Sequence, residues 1–153
     1  MQVFISYSIA IDQLVALRLQ TLATVYGMTV YVPPASSREG FATSLPQEVE
    51  EKLRASDVVL AVMMHTPSTA AVNEMNVAIA ARKILIPIVS PTVSSVYYSG
   101  FPHFLLDLAD PSKTESDIIK FLNEQRQSGP STAALVALTT LTLGLLLFSA
   151  KTK

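Results

Sequence analysis

The sequence predicts an α/β protein of the flavodoxin-like class: an open parallel sheet of about five strands with helices on both faces, followed by a C-terminal transmembrane helix. Three observations carry that expectation. First, β-rich apolar runs alternate with helix-like segments over the first 127 residues, the order that builds doubly wound sheets. Second, residues 57–63 (DVVLAVM) and 84–89 (ILIPIV) are almost wholly apolar runs rather than alternations. Strands of that kind are covered on both faces, as parallel strands require. Third, half of the 153 residues are hydrophobic and only 15% are charged, with a mean hydropathy of +0.41. That excess gathers in residues 131–150 (STAALVALTTLTLGLLLFSA), twenty residues without a charge. A helix of that length spans about 30 Å, the thickness of a bilayer core.

Each element has its own local reason. Residues 2–7 (QVFISY) form a short β-rich run. Residues 12–26 carry Leu14, Leu17, Leu22 and Val25 near helical spacing, and Gly27 follows as a helix terminator. Residues 28–32 (MTVYV) are a second strand, stopped by Pro33 and Pro34. Residues 33–43 (PPASSREGFAT) are a polar loop. Ser44 and Gln47 match a capping box, with Pro46 in the first turn, and open a helix to about Ala55. The third strand is 57–63. Thr66, Pro67 and Ser68 start a helix that runs to about Arg82, and the fourth strand is 84–89. Residues 90–103 are irregular, and 104–108 form a short fifth strand. Ser112 and Glu115 match a second capping box, and their helix runs to about Gln127.

The organisation that follows is an α/β domain at 1–127, a linker at 128–130 marked by Gly129 and Pro130, a transmembrane helix at 131–150 and a short basic tail at 151–153. Lys151 and Lys153 suit a headgroup region. Met1 leads directly into a strand rather than a secretory signal. The expectation is therefore a single-pass C-terminal membrane anchor with the domain cytoplasmic.

Composition excludes several chemistries. Without the tail the chain holds nine basic and twelve acidic residues, a net charge of −3. That balance offers nothing to a nucleic-acid partner. Zero Cys removes disulfides, a thiolate nucleophile and Cys-ligated metals. His65 and His103 stand alone and read as surface or loop residues, so no metal site is expected. The first strand is followed by Ser8-Ile9-Ala10-Ile11, with no glycine-rich phosphate loop, and neither G-x-S-x-G nor H-E-x-x-H occurs.

Open parallel sheets bind ligands beyond the carboxyl ends of their strands, where the strand order reverses. The loops at 6–11, 33–43, 64–68 and 90–99 are therefore the candidates. Glu48, Glu50, Glu51, Glu115, Asp117 and Glu124 read as solvated helix charges. Glu74 differs: it lies early in its helix among Ala70, Ala71, Val72, Met75, Val77 and Ala78. Position alone favours a solvated charge complementing the helix dipole, with a carboxylate facing the ligand crevice as the alternative.

Taken in order, a series of short motifs resembles the Toll/interleukin-1 receptor (TIR) domain family, of bacterial or archaeal kind, over roughly residues 1–125. Val3-Phe4-Ile5-Ser6-Tyr7-Ser8 looks like the opening strand, and Asp12, Leu14 and Leu22 like the first helix. Gly27 with Val30-Tyr31-Val32 is similar to the second strand, and 33–43 to the BB loop. Ser56-Asp57-Val58-Val59-Leu60-Ala61-Val62 and Ile86-Pro87-Ile88-Val89 are similar to the third and fourth strands. Ser68-Thr69-Ala70-Ala71-Val72-Asn73-Glu74 resembles the family's S-x-W-C-x-x-E, with Ala70 and Ala71 in place of Trp and Cys.

The resemblance implies an NAD glycohydrolase with Glu74 as the catalytic residue and NAD as substrate, with no resident cofactor. It also implies self-association through TIR domains and a role in prokaryotic antiviral defence. Ser6, Tyr7, Arg38 and Ser68 are the candidate nucleotide contacts. The plainer readings are turn capping for Ser6, core packing for Tyr7 and a solvated loop charge for Arg38. Tyr97 and Tyr98 suit packing better than base stacking. Two other functions stand beside the enzyme: a non-catalytic TIR scaffold at a membrane, and an enzyme like the nucleoside deoxyribosyltransferases, which also use a Glu on a ribosyl bond. A third possibility is a tail that acts on the membrane itself.

Overall fold

The structure is a computed structural model that describes residues 1–38 and 44–128. The expected membrane span at 131–150 lies outside the described residues, as does the end of the loop at 39–43. Among the described residues no helix is long and apolar enough to cross a membrane.

Five strands form one parallel sheet: β1 Gln2–Ser6, β2 Thr29–Tyr31, β3 Val58–Met63, β4 Ile84–Val89 and β5 Phe104–Leu105. Their spatial order is β2-β1-β3-β4-β5, so the order reverses between β1 and β3. Ser6 is paired there with Ala61. Among the described residues three helices connect strands, α1 Ala10–Val25, α2 Gln47–Ala55 and α3 Thr69–Ala80, and a fourth, α4 Pro111–Ser128, follows β5. The flavodoxin-like parallel sheet with helices on both faces is thus observed.

The pleat divides the core in two. Val3, Ile5 and Tyr7 point with Leu60, Val62, Ile86 and Ile88 toward α1 and α4, where Leu19, Ile118 and Leu122 meet them. Phe4 points the other way, with Val59, Ala61 and Met63, toward α2 and α3, where Val49, Leu53, Met75 and Ala78 complete the second cluster. All six residues of β3 are buried, as its unbroken apolar run predicts. The alternation puts Ser6 on the α2/α3 side and Tyr7 on the other.

Three local details refine or correct the expectations. The apolar residues that mark the first helix divide, and Leu22 packs partly buried against the core. Leu14, Leu17 and Val25 are 64%, 41% and 77% exposed, and the buried face is Asp12, Ala16, Leu19 and Ala23. Apolar residues fall on more than one side of the helix, interspersed with Arg18 and Gln20, and the side that carries Ala16 and Ala23 settles on the sheet because alanines allow a close approach. Neither capping box forms. Pro46 stands at the cap of α2 with no side-chain cap bond, and Gln47 instead donates to Glu51 at 2.7 Å. Helix α4 already starts at Pro111, so Ser112 is inside its first turn.

Glu115, expected in solvent, is buried and takes a bidentate pair from Arg18 at 2.8 and 3.0 Å. This pair sits at an open groove of about 630 Å³ between α1 and α4. It docks the two helices of that face together.

Candidate functional site

Helix α3 begins at Ser68, whose side chain accepts the Ala71 N–H at 3.2 Å. Its buried positions are Ala71, Glu74, Met75 and Ala78, the spacing of one helix face. Glu74 therefore shares the face that packs on the sheet, and it is 0% exposed. A solvated dipole-complementing charge is ruled out by that burial.

The carboxylate is held by two other chain segments. The Ser6 hydroxyl, at the carboxyl end of β1, donates to Glu74 Oε2. Arg38, the last residue of a single 3₁₀ turn at Ala35–Arg38, donates Nη1 to Oε1 at 2.5 Å and Nη2 to Oε2 at 3.1 Å. The Arg38 side chain is 7% exposed, so this is a buried ion pair and not a solvated loop charge. Its guanidinium carbon sits 4.4 Å from the centre of the Tyr7 ring, a cation–π contact. Tyr7 is buried. Its hydroxyl donates to the Pro33 carbonyl at 2.8 Å and accepts from Gln13 Nε2 at 3.2 Å. Tyr7 thereby ties the start of the loop that carries Arg38 to the end of β1.

The electrostatics follow from this packing. Burial pushes the Glu74 carboxyl above its ordinary value, because the ionised form loses water. The charge of Arg38, its hydrogen bonds and that of Ser6 pull the other way. Burial likewise raises the Tyr7 phenol, with Arg38 opposing. Arg38 Nε and the Tyr31 hydroxyl are buried without a hydrogen-bond partner among the described residues.

The rim is braced by a residue whose part the sequence did not disclose. Asp12 Oδ2 accepts the Ser8 and Ile9 N–H groups, both at 3.2 Å, and Oδ1 accepts the Met64 N–H at 3.1 Å. One buried carboxylate thus fastens the loop after β1 to the end of β3. Ser8 Oγ in turn accepts the Ser68 N–H at 2.9 Å, linking that loop to the start of α3. The available signal was Asp12 three residues after Ile9, the spacing of an acidic side chain that reaches back to the cap N–H. Ser8 carries no comparable signal.

Of the candidates read from sequence, Glu74, Ser6, Arg38 and Tyr7 converge on one point at the switch in strand order. Ser68 does not join them, since its side chain is used as the cap of α3. Tyr97 and Tyr98 pack against the second core cluster, and Tyr98 meets the His103 ring at 4.6 Å. His65 is exposed. Among the described residues no group of His, Asp or Glu is placed to hold a metal ion.

The chain is similar in structure to the TIR domains of the activated Roq1 resistosome directly recognizing the pathogen effector XopQ. The match has 15% identity, covers 92% of this chain and 81% of that one, and has a TM-score of 0.46. No family model matches the sequence, and no curated protein matches it.

Proposed function

We propose that the protein is a membrane-anchored TIR-type NAD glycohydrolase that cleaves the bond between nicotinamide and ribose, with Glu74 as its catalytic residue. One observation carries the reading: a fully buried carboxylate, paired with a cation, at the point where the strand order reverses. A carboxylate in such surroundings favours a ligand with positive charge.

Cleavage of NAD supplies one. As the C1′–N bond breaks, its electron pair moves to the pyridinium nitrogen, and neutral nicotinamide departs without any acid to protonate it. Positive charge builds on the ribose carbon, and a fixed carboxylate stabilises it. Water then adds to C1′ and gives up a proton, yielding ADP-ribose. Attack by a nitrogen of the adenine gives a cyclic product instead. Ser6 orients the carboxylate, and Tyr7 offers an aromatic face beside it. The chemistry needs no thiolate, metal or catalytic histidine.

The sequence supports an anchor at 131–150, with the domain on the cytoplasmic side and self-association on the membrane. A role in prokaryotic antiviral defence belongs to this same reading. The non-catalytic scaffold is favoured by Ala70 and Ala71 standing where the family pattern has Trp and Cys, and by the engagement of both Glu74 oxygens by Ser6 and Arg38.

The test is nicotinamide release from NAD by the full chain in lipid vesicles. Release that vanishes in Glu74→Gln supports the enzyme. A folded, vesicle-bound chain that releases none sinks it and leaves the scaffold. Release of base from deoxynucleosides but not from NAD redirects the reading to transferase chemistry.

A further inference from the structure

Glu74 has no exposed surface, and both its oxygens are engaged by Ser6 and Arg38. A ligand cannot reach the carboxylate while these contacts stand. Ser6 belongs to the buried sheet and is fixed. Arg38 is not fixed in the same way: it ends one 3₁₀ turn, a short element with poor hydrogen-bond geometry. Its Nε is unpartnered among the described residues.

We infer that Arg38 is an internal occupant of the ligand site, a latch that must leave Glu74 before a ligand enters, and that the group displacing it is itself a cation. This rests on the reading of the site as one for an oxidised nicotinamide dinucleotide, and it specifies which part of that ligand opens the site.

The argument is one of exchange. Removing one partner of a buried ion pair leaves an uncompensated charge in a medium that solvates it poorly. Arg38 therefore departs readily only when another positive group takes its place. The guanidinium makes two contacts at once, an ion pair with Glu74 and a face-on contact with Tyr7. A pyridinium joined to ribose has the same pair of features: a positive charge for the carboxylate and a flat cationic ring for the tyrosine face. A reduced, uncharged nicotinamide ring has the shape and lacks the charge, so it does not displace Arg38.

Among the described residues, Arg38 at the end of the 3₁₀ turn, Tyr7 just after β1 and Tyr31 in β2 are the charged or titratable groups that face Glu74. Both tyrosines titrate above the ordinary phenol value, because burial raises them. Burial raises the Glu74 carboxyl while Arg38 and Ser6 oppose the rise, so removal of Arg38 raises it further.

The experiment uses the full chain in detergent and measures binding of an uncleavable carbocyclic analogue of NAD, and of NADH, from pH 6 to 9. The wild type is expected to bind the cationic analogue at least tenfold more tightly than NADH. In Arg38→Met the cationic analogue is expected to gain about tenfold at pH 9, and NADH nothing. The gain shrinks toward pH 6, because Glu74 without Arg38 holds its proton to higher pH. Arg38→Lys returns the profile to that of the wild type. Equal weakening of both dinucleotides in Arg38→Met overturns the latch and makes Arg38 a phosphate contact. Equal affinity of the wild type for both overturns the requirement for a cation.

A second arm needs no nucleotide. Carbodiimide and an amine should leave Glu74 unmodified in the wild type and modify it in Arg38→Met, and equal modification overturns the latch. Labelling as expected without binding of either dinucleotide leaves the latch standing and removes the nicotinamide reading.

Discussion

Glu74 must be ionised to stabilise a cationic sugar, and burial makes ionisation harder. Nicotinamide release is therefore expected to rise with pH through a midpoint above the ordinary carboxylate value of 4.5. Glu74→Gln should lower the rate by about 10²-fold or more at the plateau, and a pH–rate profile checks both. Stability has the opposite sign. A carboxyl raised in the folded state contributes fully below its unfolded value, and the contribution is lost as pH rises through the folded one. Wild type minus Glu74→Gln should thus fall with pH in denaturant titrations. The pair itself gives a third expectation. Glu74→Met should cost about 3 kcal/mol because it strands the Arg38 cation, Arg38→Met should cost less where Glu74 takes up a proton, and the double variant should lie within about 1 kcal/mol of wild type. Ala71, Glu74, Met75 and Ala78 share one helical face, yet position alone favoured a solvated charge at Glu74, because small or apolar residues lie on more than one side of it and no stripe singles out the buried face. The inward turn of Arg38 was not legible either, because a loop has no period and its long side chain reaches either solvent or core from the same backbone.

At the scale of elements, the sheet was the most legible part. A run such as VVLAVM in β3 has no polar face to offer water, so its burial and its neighbours follow from composition alone. Helix α1 shows where the same logic fails. Apolar residues lie on both its faces, and periodicity cannot tell a leucine stripe from an alanine–leucine stripe. The choice is made by fit, because the smaller face nests against the strands. Leu14→Lys and Leu17→Gln should therefore change stability by no more than about 0.5 kcal/mol, whereas Leu19→Ala should cost 2–5 kcal/mol by leaving a cavity, with urea midpoints giving the comparison. The capping boxes failed for a related reason. A short polar pattern is easily matched by chance, and Pro46 and Pro111 set the helix starts instead. Asp12 is the connecting device that pattern reading passed over. Asp12→Ala leaves three buried or half-buried N–H groups without an acceptor. It should cost about 2–3 kcal/mol and loosen the rim of the site, seen as faster amide exchange at Ser8, Ile9 and Met64.

For the whole molecule, both core clusters close within residues 3–122, and α4 ends at Ser128 with its apolar face already spent on Ile118, Ile119 and Leu122. The anchor proposed at 131–150 therefore requires that the domain keep its stability without that segment. A chain ending at residue 130 is expected to unfold with the same urea midpoint as the full chain and to stay behind when vesicles are floated. The full chain is expected to float. If truncation lowers the midpoint by more than about 1 kcal/mol of stability, the tail is part of the fold and the anchor idea fails. Anchoring also has a kinetic consequence. Confining the domain to a surface raises its effective concentration by orders of magnitude, and a site closed by its own Arg38 has reason to depend on neighbours that hold the loop open. At fixed total protein, nicotinamide release per chain should therefore rise as the lipid area is reduced and the chains crowd together. A rate per chain that ignores surface density identifies a site that opens alone, with the substrate's own charge doing the displacing.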